Sequence, residues 1–141
     1  LPVVRFSEIS PTSGALPDRA VIVLDTVGHL KKLYSLAEFV FIGKSLTGRG
    51  GQNVIEPAFF GKPIFVGPHM ENFLSVMDVF LTREAILQIH DPAQMLSTVK
   101  NLLSNDDLRS RLGKNVRQAV EEQLGAAKRT MSVLSRVLSE Q

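Results

Sequence analysis

Short apolar runs of strand length alternate along the chain with segments whose apolar residues recur at helical spacing, the pattern of βα units around a parallel sheet. Pro2 to Phe6 is short and rich in β-branched residues, and the Ser/Pro/Thr/Gly-rich stretch from Ser10 to Asp18 behind it reads as a loop. Val21 to Leu24 predicts a second strand. Asp25 and Thr26 stand where they would cap a helix carrying Leu30, Leu33, Tyr34 and Ala37 on one face. Phe39 to Ile42 is a continuous apolar run, as expected of a strand buried on both faces. A glycine-rich loop from Ser45 to Gln52 leads into a short helix ending at Gly61-Lys62-Pro63, a stop signal made of Gly past the last turn and a Pro that cannot continue it. Pro57 is tolerated only in a first turn, so this helix must begin near Asn53.

Ile64 to Val66 and Ile86 to Ile89 predict the fourth and fifth strands, with a helix around Phe73 to Leu81 between them. Asp91-Pro92-Ala93-Gln94 is a helix start with a capping Asp, Pro at the first helical position and Gln for the reciprocal cap bond. That helix would bury Met95, Leu96, Val99, Leu102 and Leu103. Leu108, Leu112, Val116, Ala119, Val120 and Leu124 then form a further stripe, which Met131, Leu134 and Leu138 extend past Gly125, an expected break or bend. The expected fold is α/β: a Rossmann-like parallel sheet with helices on both faces and a helical tail over 106–141. In such sheets, ligands sit at the carboxyl ends of the strands, where loops meet helix N-termini.

Composition narrows this. With 141 residues, 44% hydrophobic and 21% charged, the chain is long enough for one core without a metal or disulfide staple. It has no Cys, which excludes a disulfide scaffold and any thiolate metal site. The formal charge of +2 is too balanced to argue for nucleic acid. Its distribution is uneven: residues 51–99 hold Lys62 and Arg83 against Glu56, Glu71, Asp78, Glu84 and Asp91, whereas residues 100–141 hold eight basic and five acidic side chains. The basic helices, with Arg109, Arg111, Lys114, Arg117, Lys128 and Arg129, read mainly as a solvated face, and secondarily as one attracted to anionic head groups. No apolar run approaches the ~18 residues of a membrane span. The chain opens on Leu1 and runs directly into an apolar stretch, which reads as a fragment of something longer.

The residues with most chemistry lie in the loop that follows the third predicted strand, Gly43-Lys44-Ser45-Leu46-Thr47-Gly48-Arg49-Gly50-Gly51-Gln52-Asn53-Val54-Ile55-Glu56-Pro57. Glycines let backbone approach a ligand closely, and first-turn N–H groups without helical partners favour an anion, so a nucleotide phosphate is the natural occupant. Glu56 could accept from paired ribose hydroxyls; the plainer alternative is that it complements the helix dipole while Gly50-Gly51 makes a turn. The spacing fits neither the dinucleotide fingerprint nor the Walker loop. A second candidate is Gly67-Pro68-His69-Met70-Glu71-Asn72-Phe73, where His69 and Asn72 would project into the same cleft, although such a His is more often structural. A third is Asp25-Thr26-Val27-Gly28-His29, a weaker strand-to-helix junction. The three His lack metal-site spacing, and no metal or cofactor is expected.

Taken together, Ser45 to Pro57, Gly61-Lys62-Pro63 and Gly67 to Phe73 resemble the C-terminal half of the 3-deoxy-D-manno-octulosonic acid (Kdo) transferases. The resemblance runs from Val3 through Asp25-Thr26-Val27-Gly28 to the tail. It implies the C-terminal half of a two-domain GT-B fold lacking its first βα unit, so that 1–141 is one donor-nucleotide-binding domain. It also implies an inverting, metal-independent glycosyltransferase of lipopolysaccharide synthesis at the cytoplasmic face of the bacterial inner membrane. That enzyme passes Kdo from CMP-Kdo to the lipid A precursor. By position, the family's CMP contacts fall on Val27, Gly28 and His29 and on Asn53, Val54, Ile55 and Glu56, beside Ser45, Gly50, Gly51 and Gln52. His29 stands where the family usually has Glu, and Gln52 where it has His. The family's catalytic base, membrane anchor and acceptor surface belong to an N-terminal domain, so this chain is expected to hold no catalytic residue and to be inactive alone. A sheet edge left by the absent strand would invite pairing between copies. The alternative is a GT-B-like module that has lost catalysis and serves in nucleotide-sugar binding or assembly.

Overall fold

The computed structural model describes residues 1–10 and 14–139. Part of the predicted Ser10–Asp18 loop, and the side chains of Lys128, Arg129, Leu134 and Leu138, lie outside the described residues. The chain divides into two compact units, Leu1–Leu36 and Ala37–Gln141.

In the first unit, β1 (Val3–Arg5) pairs in parallel with β2 (Val21–Val23), Val4 opposite Ile22, and α1 follows over Leu30–Leu36. A single 3₁₀ turn, Phe6–Glu8, continues β1. The expected cap by Asp25 is not formed on α1. Its carboxylate instead accepts the Ser7 N–H at 2.9 Å and the Ser7 hydroxyl at 2.7 Å, and meets Arg5 at 3.5 Å. These bonds tie the loop after β1 to the loop after β2 and hold the Asp25 carboxyl below the usual range, chiefly through Ser7.

In the second unit, β3 (Val40–Phe41), β4 (Ile64–Val66) and β5 (Ile86–Gln88) form a parallel sheet in that order, with Phe41 beside Phe65 and Phe65 beside Leu87. The helices are α2 (Ile55–Phe59), α3 (Leu74–Thr82), α4 (Pro92–Ser104) and α5 (Asp106–Ser139). The five expected strands are all present and all pair in parallel, in a two-stranded and a three-stranded sheet.

Alternation along β4 sorts the core. Ile64 and Val66 join Val54, Ala58, Met77, Phe80, Val116 and Ala119 on one face, while Phe65 packs with Ile89, Leu102 and Leu112 on the other. Each such fully buried Leu or Phe stabilises the fold by roughly 1.5–3 kcal/mol. Both faces of the three-stranded sheet are therefore covered by helices, as a parallel sheet requires.

Two local signals come out as written in the sequence. The Asp91 carboxylate accepts the Gln94 N–H at 2.8 Å with Pro92 in the first turn, while Gln94 reaches back to the His90 N–H, one residue before the cap. Pro57 falls in the first turn of α2, whose N-cap is Val54. One signal misleads: α5 runs unbroken through Gly125. A mid-helix Gly costs only about 1 kcal/mol relative to Ala, and Ala126 and Ala127 follow it. Nor is α5 merely a tail, because Leu112, Val116, Ala119 and Val120 are core residues.

Candidate functional site

The loops that follow β3 and β4 leave neighbouring parallel strands at their carboxyl ends, and the two are bound to each other. Ser45 is wholly buried. Its hydroxyl donates to the Ile42 carbonyl at 2.5 Å and accepts the Gly67 N–H at 2.7 Å, while its carbonyl accepts the His69 N–H at 2.9 Å. The sequence reading put Ser45 against a donor. In the structure the residue is buried, and its hydroxyl, donating once and accepting once, clamps the two loops together.

Further out, the Gly50 N–H donates to Glu71 Oε2 at 2.5 Å, and His69 Nδ1 donates to Glu71 Oε1 at 3.2 Å. The Gly50 amide is the largest influence holding the Glu71 carboxyl below its usual range. Gly51 has a φ of 62°, and a Cβ there would strike Met70 Sδ and come within 3.0 Å of the His69 carbonyl. This position therefore needs Gly twice over, for its left-handed backbone and for the buried Met70 against it.

These bonds revise the expected bare anion pocket. The α2 helix has five residues, the Gly50 amide already holds a carboxylate, and the Ile55 N–H is accepted by Asn53 Oδ1 at 3.0 Å. Asn53 Nδ2 donates in turn to Glu56 Oε1 at 2.9 Å. Of the motif, Val54 is wholly buried, Ile55 packs on the core, and Gly50 and Gly51 are buried. Lys44, Thr47 and Arg49 are exposed earlier in the loop, and of the expected contacts Gln52, Asn53 and Glu56 face solvent, with half-buried His69 and exposed Asn72 on the companion loop. The first and second predicted motifs are thus brought together, with Asn72 lying against Gly50. Glu71, to which sequence reasoning gave no role, links them. Its place in the second motif was visible; its partner across 21 residues was not.

The third motif belongs to the first unit. There Val27 is fully exposed, Gly28 has a φ of 89°, and the His29 ring lies 5.0 Å from that of Phe6. Thr26 Oγ1 is buried without a hydrogen-bond partner. Among the described residues, no three His, Cys, Asp or Glu side chains gather in a metal-binding group, and no helix is long and apolar enough to cross a membrane.

No family model matches the chain. Over 92% of its length it is 30% identical to a 3-deoxy-D-manno-octulosonic acid transferase of Haemophilus influenzae, 31% of which it covers. A transferase of the same name from Bordetella pertussis is 30% identical over 84% of the chain, which covers 28% of that protein. The crystal structure of the C-terminal CMP-Kdo binding domain of WaaA from Acinetobacter baumannii superposes with a TM-score of 0.74 and 27% identity, over 85% of this chain and 61% of that one. The chain belongs to the 3-deoxy-D-manno-octulosonic acid transferase family. Its fold is the GT-B-like one of the family's C-terminal domain, parallel strands with flanking helices. It spans under a third of the length of these two curated transferases.

Proposed function

We propose that the chain is the donor half of a Kdo transferase and binds CMP-Kdo on the loops that follow β3 and β4. The observation that carries this reading is the closure of the glycine-rich loop onto the His69–Asn72 loop, which sets Gln52, Asn53 and Glu56 on an exposed rim at the carboxyl ends of two adjacent parallel strands. The likeness in fold to the crystallised CMP-Kdo binding domain of WaaA supports it.

On this reading Glu56 accepts from the ribose hydroxyls, held in place by Asn53 Nδ2. The Gly50 amide, which already holds the Glu71 carboxylate, passes to the donor phosphate when that carboxylate swings aside. Main-chain N–H groups aimed at the departing CMP phosphate lower the barrier by stabilising the charge that develops on it. Transfer is inverting and metal-independent, and the acceptor is a lipid A precursor at the cytoplasmic face of the inner membrane. The catalytic base and acceptor surface are contributed by a domain outside this chain, so the chain alone binds donor without turning it over.

Amide spectra of the chain titrated with CMP test this. The resonances of Gly50 to Glu56 should shift saturably; no response at millimolar CMP would overturn the assignment. Transfer of Kdo from CMP-Kdo to lipid A precursor by the full-length protein tests the rest, and absence of turnover despite CMP binding would mark a module that binds without catalysing.

A further inference from the structure

A second polar concavity lies at the amino-terminal end of β4, opposite the loops just described. Where α2 ends, the chain turns through Gly61 against Gly113 of α5, and neither residue has a side chain to fill the notch between them. A Cβ on Gly113 would collide with the Gly61 carbonyl oxygen. The resulting cavity, about 290 Å³, is rimmed by Arg109, Ser110, Lys114 and Arg117, and no acidic side chain lines it.

The rim follows from helix geometry. Ser110, Gly113, Lys114 and Arg117 stand at i, i+3, i+4 and i+7, a single face of α5. The three cations are not equivalent. Arg109 Nη1 donates to the Leu102 and Leu103 carbonyls at the end of α4, and the guanidinium also meets Asp106 at 2.6 Å and Glu38 at 3.5 Å. It is a helix cap, with its charge already matched. Arg117 meets Glu121 through Nε at 3.0 Å, on the stem side of the guanidinium. Among the described residues, Lys114 has no ion-pair partner. A lysine, an arginine fork and a serine hydroxyl around a glycine floor suit a tetrahedral oxyanion, which takes charge-assisted bonds from each.

We infer that this notch is a second anion site, separate from the donor loops, which binds a phosphate-bearing group through Lys114, Arg117 and Ser110. The group is either a free phosphate or diphosphate, or the phosphodiester head group of a lipid.

The chain is titrated with inorganic phosphate and pyrophosphate while its amides are followed, and in parallel is sedimented with vesicles of phosphatidylglycerol or of phosphatidylcholine. The expected result is a saturable shift of the Gly61, Ser110, Gly113 and Lys114 amides, or co-sedimentation with the anionic vesicles alone, weakened about tenfold or more by K114E/R117E. Response to the free anions without vesicle binding identifies a soluble ligand; the reverse identifies a head group. Glu121→Gln, which releases Arg117, should tighten whichever interaction is seen, and this variant does not depend on the double variant folding. No saturable shift at tens of millimolar anion together with no vesicle binding would overturn the site, as would binding indifferent to K114E/R117E.

Discussion

The hydroxyl of Ser45 and the amide of Gly67, 22 residues apart, meet at 2.7 Å where solvent reaches neither. Ser45→Ala removes the acceptor and leaves a buried N–H unsatisfied, which costs about 1–3 kcal/mol. Urea unfolding should show that loss as a lower midpoint. Ser104→Ala, whose exposed hydroxyl bonds back to the Lys100 and Asn101 carbonyls of its own helix, should stay within about 0.5 kcal/mol.

Glu71 gives a pH signature. Its folded-state pKa lies below its ordinary value of 4.5, chiefly because of the Gly50 amide, so the stabilisation is complete above that value and is lost as pH falls through the lowered one. Glu71→Gln should flatten the acid limb of stability in this window while Asp25, depressed in the same direction by Ser7, keeps its own share. If the donor phosphate takes the Gly50 amide, the same substitution removes a competing anion, and CMP should bind more tightly at neutral pH. Thermal melts from pH 2 to 6 and a CMP titration measure the two effects separately.

Gly113→Ala should destabilise despite Ala being the better helix former by about 1 kcal/mol, because the new methyl group meets the Gly61 carbonyl and overpacking of this kind costs roughly 1–3 kcal/mol. Chemical denaturation decides the sign. A more stable variant would mean that α2 and α5 separate readily at this point.

Glu56 is exposed, and its carboxylate accepts from Asn53 Nδ2. Glu56→Ala should therefore leave the unfolding midpoint nearly unchanged while weakening CMP by about tenfold or more, since a hydrogen bond to a charged group contributes roughly 1.5–3 kcal/mol. Calorimetric titration of CMP into wild type and variant makes the comparison.

Local signals were legible and long-range ones were not. Ile64–Val66 has the length and apolar continuity of a doubly buried strand, and the cap at Asp91 is written in four consecutive residues. The glycine-rich loop declared itself by composition. Its internal wiring did not, because whether Gly50 gives its amide to a ligand or to Glu71 depends on how two loops meet. Asp25 is similar: its position after a strand suggests a cap, but α1 begins only at Leu30 and the carboxylate accepts from Ser7 instead. Gly125 was overread because a lone glycine's helix penalty is small beside the propensity of its neighbours. The Gly61–Gly113 contact had no local signal: Gly61 reads locally as a helix stop with a φ of 61°, and nothing near either glycine in sequence points to the other.

Leu112, Val116, Ala119 and Val120 of α5 contribute to the buried clusters on both faces of β4, so the core of the second unit is incomplete until α5 is present. During synthesis the three-stranded sheet stays partly uncovered until α5, which follows it in the chain, has emerged, so exposure to chaperones and to self-association is built into the order of these elements.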